Sequence, residues 1–165
     1  MIKNILGTAG TRILNAIINL AILILLTREL GSEGFGVIVV ILLAITIIQL
    51  FVDLIAGSSI IYFSSRTEII KLIIPSYLWI AIVIGFAWIV FSLLKLFFVD
   101  IYYLIIPPSY ECDIILLASL NAVMLTNYNI LLGRKRIGIY NLIFTIQILT
   151  LFIVLIYKIL ILKAR

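Results

Sequence analysis

This chain of 165 residues is 65% hydrophobic and only 12% charged, and its mean hydropathy of +1.39 excludes a water-soluble fold with a polar exterior. Long apolar runs with few charges predict membrane-spanning α-helices, because a helix satisfies its backbone N–H and C=O groups within its own segment. The net charge of +5 comes from basic residues that flank these runs, which favours membrane topology over nucleic-acid binding.

Hydropathy predicts one all-α membrane domain over residues 1–165 with five transmembrane helices. The predicted spans are about 7–26, 37–62, 72–98, 114–132 and 139–161. A glycine-rich turn separates the first two spans, and a polar connection separates the second from the third. A loop over 100–113 follows the third span, and a basic turn over 133–138 follows the fourth.

The first span carries a polar stripe. Thr8, Arg12, Asn15 and Asn19 follow at spacings of 4, 3 and 4 and so share one helix face. A span of about 20 residues must begin near Gly7, which draws Arg12 into the bilayer. An arginine there costs about 2.5–3.5 kcal/mol and needs a bundle interior, a water-filled cavity or a partner acid. Its fork of donors suits phosphate or carboxylate, so we predict Arg12, Asn15 and Asn19 as substrate-binding residues, with hydrogen bonding between helices as the alternative for the two asparagines.

The second span repeats the pattern with Thr46, Gln49, Asp53 and Gly57. We add Gln49 and Asp53 to the predicted substrate-binding residues. Span one leaves the cytoplasmic side and span two returns to it, so Arg12 and Asp53 are expected in the same half of the bilayer. A buried ion pair between them is the structural alternative to a role in a cavity. If the pair is structural, Arg12→Ala alone should lower thermal stability more than the double change with Asp53→Ala.

Basic residues in the short loops predict the orientation. With a cytoplasmic N-terminus, the inner side holds Lys3, Arg66, Lys71, Arg134, Lys135 and Arg136, and the outer side holds Arg28 and Lys95. We therefore predict that the N-terminus is cytoplasmic. Five spans would place Lys158 and the basic residues after it on the outer side, against this bias, which suggests a series of helices interrupted before its next span.

Three segments resemble a known family. Residues 26–36, LTRELGSEGFG, resemble the Arg-x-Leu-Gly…(Phe/Tyr)-Gly signature between the first two helices of bacterial oligosaccharide flippases. Residues 53–60, DLIAGSSI, are similar to the small-residue segment late in helix two of that family, and residues 131–136, LLGRKR, resemble its Gly-basic turn after helix four. These O-antigen or polysaccharide flippases belong to the multidrug, oligosaccharidyl-lipid and polysaccharide exporter superfamily. The resemblance covers most of residues 1–140.

The resemblance implies a polysaccharide biosynthesis transporter of the bacterial inner membrane that flips a polyprenyl-pyrophosphate-linked oligosaccharide by alternating access. Members have twelve or more helices in two lobes around a cavity whose basic residues receive the anionic substrate. Five spans would form an incomplete N-terminal lobe, so we expect a truncated or split chain and a second polypeptide that supplies the missing helices. The pyrophosphate would lie near Arg12, with Asn15, Asn19 and Gln49 bonding to sugar hydroxyls.

Three other classes compete with this interpretation. A cation-coupled multidrug antiporter of the same superfamily typically has an acid on its first helix, where this chain has Arg12 instead. A non-transporting auxiliary or structural membrane protein would use its polar faces to meet a partner. A membrane enzyme would need clustered acids, histidines or cysteines. The chain has no histidine and only Cys112, so we predict neither enzymatic activity nor a metal or other cofactor.

Overall fold

The computed structural model describes residues 2–107 and 109–163. These residues form six helices and no strand: α1 (Ile2–Ala56), α2 (Ser58–Ser64), α3 (Ile69–Phe97), α4 (Val99–Ile105), α5 (Glu111–Gly133) and α6 (Ile137–Lys163). The all-helical class predicted from hydropathy is therefore confirmed. The side chain of Lys3, which entered the charge count, lies outside the described part of the chain.

The predicted number of five apolar helices is not matched. Within the described ranges, four helical stretches are long and apolar enough to cross a membrane: Thr8–Ser64, Ile69–Phe97, Glu111–Gly133 and Ile137–Ile161. The first of them contains both the first and the second predicted span. These four stretches indicate a membrane-embedded, multi-pass protein.

The predicted turn between the first two spans is present as a kink at one glycine, and the residues on either side of it are helical. Of the residues over 27–36, Gly31 alone has non-helical dihedrals, with φ 68° and ψ −175°. A glycine adopts this left-handed φ at little cost, and no proline in the segment stops the helix on either side. The stretch α1 therefore consists of two helices, one on each side of a kink at Gly31, and each is long enough to cross a bilayer.

The other helices begin slightly before the predicted spans. The helices α3, α5 and α6 start at Ile69, Glu111 and Ile137, two or three residues before the predicted starts at 72, 114 and 139. The loop predicted over 100–113 contains most of the short helix α4. A break at Gly57 separates α1 from α2, so the second predicted span is not one continuous helix.

The described residues fall into two compact units. Unit 1 contains the described residues of Met1–Phe35 and Arg136–Arg165, and unit 2 contains those of Gly36–Lys135. The core of unit 1 is small and consists of Ile18, Ile22 and Ile148, with Leu26, Phe144, Phe152 and Leu155 packed around them. The core of unit 2 is larger, and its most completely buried apolar members are Val52, Ala56, Ile106, Ile114, Ala118 and Ala122.

Candidate functional site

Polar side chains of α1 and α5 meet inside unit 2. Gln49 is buried, and its Nε2 donates to Asp53 Oδ1 at 3.0 Å, one helical turn further along α1. Asn121 Nδ2 on α5 donates to Gln49 Oε1 at 3.5 Å, the longest of these contacts. The structure therefore joins two of the predicted substrate-binding residues and links them to a neighbouring helix.

The break in α1 creates a second polar contact with α5. Ile60 N–H donates to Gly57 O at 3.2 Å, so it does not donate to Ala56 O, its usual partner four residues earlier. Asn129 Nδ2 donates to the Ala56 carbonyl instead, at 3.0 Å. Because a carbonyl can only accept, this contact fixes the orientation of the Asn129 amide and directs its Oδ1 away from Ala56.

An open cavity of about 360 Å³ lies beside this break. We call it the polar groove, and its lining is Asp53, Gly57, Ser58, Ile61, Leu125 and Asn129. It presents a carboxylate, a hydroxyl and an amide next to helices of bilayer-spanning length. Polar and ionisable groups at such positions face a bundle interior or a water-filled cavity, and they mark functional sites.

Among the described residues of unit 2, no cation forms an ion pair with the carboxylate of the polar groove. The ion pairs in the described part of unit 2 are Lys71–Glu68 and Lys95–Glu111. Asp53 belongs to neither pair and is exposed, with the Gln49 amide as its hydrogen-bond donor. Its carboxylate is therefore available to accept further hydrogen bonds from a ligand.

A close helix contact holds the two walls of the polar groove together. Ser58 and Ile61 lie on α2, whereas Leu125 and Asn129 lie on α5. At the end of α5, a Cβ added to Gly133 would lie 1.8 Å from Ser64 Oγ and 2.3 Å from Ile61 O. A hydrogen in place of a side chain is therefore what allows α2 to pack against the end of α5.

The Arg134 guanidinium adds a polar contact at the same end. Its Nη2 donates to Thr67 O at 3.2 Å, which ties the start of the basic turn to the connection between α2 and α3. The resemblance pointed to Gly133 and Arg134 only as parts of a Gly-basic turn. In the structure both residues contact the region around α2, and so they support the polar groove.

The stripe predicted on the first span divides between buried and exposed positions in unit 1. Arg12 and Asn19 are exposed, whereas Asn15 is buried. Thr8 Oγ1 accepts a hydrogen bond from Asn141 Nδ2 on α6 at 3.2 Å. Asn15 lies on the same face of α1 as Thr8, seven residues further along the helix.

Two buried oxygens of unit 1 have no hydrogen-bond partner among the described residues. They are Asn15 Oδ1 on α1 and Thr145 Oγ1 on α6. The contact from Thr8 to Asn141 and the apolar cluster around Ile18 and Ile148 follow one another in the same order along α1 and α6. The two helices therefore run parallel, with these polar residues at one end of their contact.

The five predicted substrate-binding residues belong to different units. Gln49 and Asp53 come together in unit 2, whereas Arg12, Asn15 and Asn19 belong to unit 1. The predicted ion pair of Arg12 with Asp53 stays a prediction, and the comparison of single and double alanine variants tests it.

Ser58, Leu125 and Asn129 also line the polar groove, although they were not predicted as site residues. Their signal in the sequence is weak: Asn121, Leu125 and Asn129 recur every four residues on α5.

A scan against protein-family models and searches of curated proteins and of solved structures find no match to this chain.

Proposed function

We propose that this chain is part of a transporter that flips a polyprenyl-pyrophosphate-linked oligosaccharide across the bacterial inner membrane, with its N-terminus in the cytoplasm and no enzymatic activity. The observation that carries this proposal is the open polar groove beside apolar helices of bilayer-spanning length. A polar groove at such a place is expensive unless water or a polar ligand occupies it. The resemblance of the segments around residues 26–36, 53–60 and 131–136 to oligosaccharide flippases supports the choice of ligand.

The chemistry of the polar groove suits sugar hydroxyls. Each hydroxyl donates one hydrogen bond and accepts others, and here the Asp53 carboxylate and Asn129 Oδ1 are acceptors while Ser58 both donates and accepts. The volume of about 360 Å³ lies at the small end of the range of about 300–1,000 Å³ for ligand pockets. The polar groove therefore accommodates a small part of an oligosaccharide, and Gln49 holds Asp53 in position for it.

The phosphate charge of the substrate needs a different residue. Asp53 repels a pyrophosphate, so we assign the pyrophosphate to Arg12, which is exposed on α1 and presents a fork of donors. Asn19 lies two turns further along α1, is also exposed and is assigned to hydroxyl groups. Asn15 is buried in unit 1, because it lies on the face of α1 that packs inside this unit.

The exposed Arg12 also favours a partner polypeptide. An arginine within a membrane span requires polar surroundings, and further helices from a second chain would supply them. If the polar residues serve only to contact such a partner, the chain is an auxiliary membrane protein that binds no lipid-linked sugar. This is the second candidate. The two candidates differ in whether the polar groove binds an oligosaccharide.

A binding measurement tests the proposal. The full chain is placed in lipid nanodiscs, and the affinity for a short-chain polyprenyl-pyrophosphate disaccharide is determined. Ser58→Ala and Asp53→Asn should each weaken binding by about fivefold to tenfold, the equivalent of one hydrogen bond of about 1–1.5 kcal/mol. Ser92→Ala is the matched control, because Ser92 lies on α3 outside the polar groove and its Oγ bonds to Trp88 O at 2.9 Å. No binding, or equal affinity for all four proteins, would overturn the proposal.

A further inference from the structure

The two ends of unit 2 carry opposite charge. At one end the connection between α2 and α3 meets the end of α5, and the charged residues described there are Arg66, Glu68, Lys71, Arg134 and Lys135. We call this end of the unit the basic end. At the other end α3 leads through α4 to α5, and the charged residues described there are Lys95, Asp100, Glu111 and Asp113. The apolar helices α3 and α5 run in opposite directions between a positive and a negative end.

Side-chain contacts fix the two arginines of the basic end. Arg134 Nη2 donates to Thr67 O at 3.2 Å, which joins the end of α5 to the connection between α2 and α3. Arg66 directly precedes Thr67, and its Nη1 donates to the Tyr62 hydroxyl. The Arg66 guanidinium also lies over the Tyr62 ring, 4.2 Å from the ring centre. Both arginines therefore lie on the same connection in fixed positions, so they lose little conformational entropy when an anion binds.

The protein leaves most of this positive charge unpaired. Lys71 forms an ion pair with Glu68 at 3.3 Å. Arg66, Arg134 and Lys135 belong to no ion pair within the described part of the chain, and Arg134 Nε has no acceptor there. Because a guanidinium has five N–H donors, each arginine keeps donors for an anion after its contact with the protein.

The basic end lies at the depth of lipid headgroups. The 23 residues of α5 span about 35 Å, slightly more than the hydrocarbon core of about 30 Å. Arg134 and Lys135 directly follow the last residue of this helix, which places them where the phosphates of bilayer lipids lie.

An exposed apolar face lies next to these basic residues. Ile70 and Ile74 are in the first two turns of α3, and 70% and 62% of their surfaces are exposed. They are four residues apart and so share one face of the helix. A ligand at the basic end therefore meets cations at the end of the helices and hydrocarbon surface along α3, which is the chemistry of a phospholipid.

We propose that the basic end binds an anionic phospholipid such as phosphatidylglycerol, with Arg66 and Lys135 at its phosphate and an acyl chain along Ile70 and Ile74. A soluble phosphate gains nothing from the apolar face of α3. Phosphatidylcholine carries a cation beside its phosphate, which the unpaired basic residues repel. The inference goes beyond the proposed function and does not depend on it, because none of these residues is assigned to the oligosaccharide.

Native mass spectrometry of the full chain in detergent tests this binding. Phosphatidylglycerol and phosphatidylcholine with the same acyl chains are added separately, and the affinity for the first bound lipid is compared. Phosphatidylglycerol should bind about 25-fold more tightly, since Arg66 and Lys135 each contribute about fivefold beside an anionic headgroup. Arg66→Gln and Lys135→Gln should each reduce this preference about fivefold.

A matched control removes the same charge elsewhere. Lys158 is exposed on α6 in unit 1, and Lys158→Gln should leave the preference unchanged. Thermal melting shows whether each variant is folded. The preference of the unchanged protein decides the proposal even where a variant does not fold.

Four results would overturn the proposal. Equal affinity for the two lipids would mean that the headgroup charge is not recognised. A preference that persists in both Arg66→Gln and Lys135→Gln would place the site elsewhere, and an equal loss in Lys158→Gln would reflect the net charge of the protein. Displacement of phosphatidylglycerol by millimolar inorganic phosphate or pyrophosphate would assign the basic end to a phosphate group without a lipid chain.

Discussion

The two units use the same polar residue types in different ways. In unit 2, amide side chains bond to other helices: Asn121 to Gln49, Asn129 to the Ala56 carbonyl, and Asn127 Oδ1 with the Tyr77 hydroxyl at 3.1 Å. In unit 1, Asn141 also bonds to another helix, at Thr8, but Asn15 buries an amide oxygen that has no partner within the described ranges. A polar residue in an apolar helix thus stabilises packing only where a neighbouring helix places a hydrogen-bond donor or acceptor directly opposite it.

The units also differ in how their helices approach each other. Unit 2 has a short helix against the end of α5 and a larger core. In unit 1, the cluster around Ile18, Ile22 and Ile148 is small. Changes at the close contacts of unit 2 should therefore have larger effects on stability than comparable changes in unit 1.

The largest expected effect is that of Gly133→Ala. The new Cβ would lie 1.8 Å from Ser64 Oγ and 2.3 Å from a backbone oxygen, so α2 must move away from α5. Overpacking of this kind costs about 3 kcal/mol. The better helix propensity of alanine offsets little of this cost, because Gly133 is the last residue of α5. Thermal melting in detergent measures the loss.

Two glycines without close neighbours serve as controls for this substitution. Nothing lies within 4 Å of a Cβ added to Gly85 in unit 2 or to Gly138 in unit 1. Alanine at either position should leave stability unchanged or raise it by up to about 1 kcal/mol. If Gly133→Ala melts at the same temperature as Gly85→Ala, the close contact between α2 and α5 is wrong.

The next effect distinguishes an asparagine that bonds from one that does not. Asn129→Leu leaves the Ala56 carbonyl without its donor at the helix break, which should destabilise the protein by about 1–3 kcal/mol. Asn19→Leu changes an exposed side chain on α1 and should leave the melting temperature almost unchanged. A larger loss for Asn19→Leu than for Asn129→Leu would reverse the contrast between the units.

These residues also show how far the sequence predicts the fold. Hydropathy predicts the helical class and places α3, α5 and α6 to within a few residues, since long apolar runs in a membrane protein have few alternatives to a helix. It predicts a turn over 27–36, where the structure has a kink between two helices that is confined to Gly31. Glycine permits a turn without requiring one, so composition alone does not decide whether the helix continues.

The site is predictable only where it depends on the spacing along one helix. Gln49 and Asp53 are four residues apart, and the helical period places them together as the structure does. Asn129 acquires its role from a carbonyl freed at Gly57, and Gly133 from the approach of α2. Both contacts depend on how helices that are distant in sequence are shifted along one another.

A third prediction concerns the buried oxygens that have no protein partner. Thr145→Val in unit 1 removes such a hydroxyl and conserves shape, so stability should rise by up to about 1 kcal/mol in thermal melts. Thr126→Val offers the same test in unit 2, where Thr126 Oγ1 is also buried and without a partner in the described structure. Thr150→Val is the control, since Thr150 is exposed and bonds to Ile146 O. A loss of stability in Thr145→Val would reveal a polar partner of that hydroxyl.

The smallest effect is expected at the ion pair between Lys95 and Glu111, which joins the end of α3 to the start of α5 at 2.6 Å. Burial raises the pKa of the Tyr102 phenol, so the ring stays neutral at 5.6 Å from Lys95 Nζ and adds a cation–π contact. Both charged side chains remain partly exposed, so solvent and salt screen their attraction.

Lys95→Met should lower the melting temperature slightly at low salt and not at high salt. Lys71→Met breaks the more exposed pair with Glu68 and should leave the melting temperature unchanged at both salt concentrations. If the loss for Lys95→Met persists at high salt, the packing of Lys95 on Tyr102 matters more than its charge.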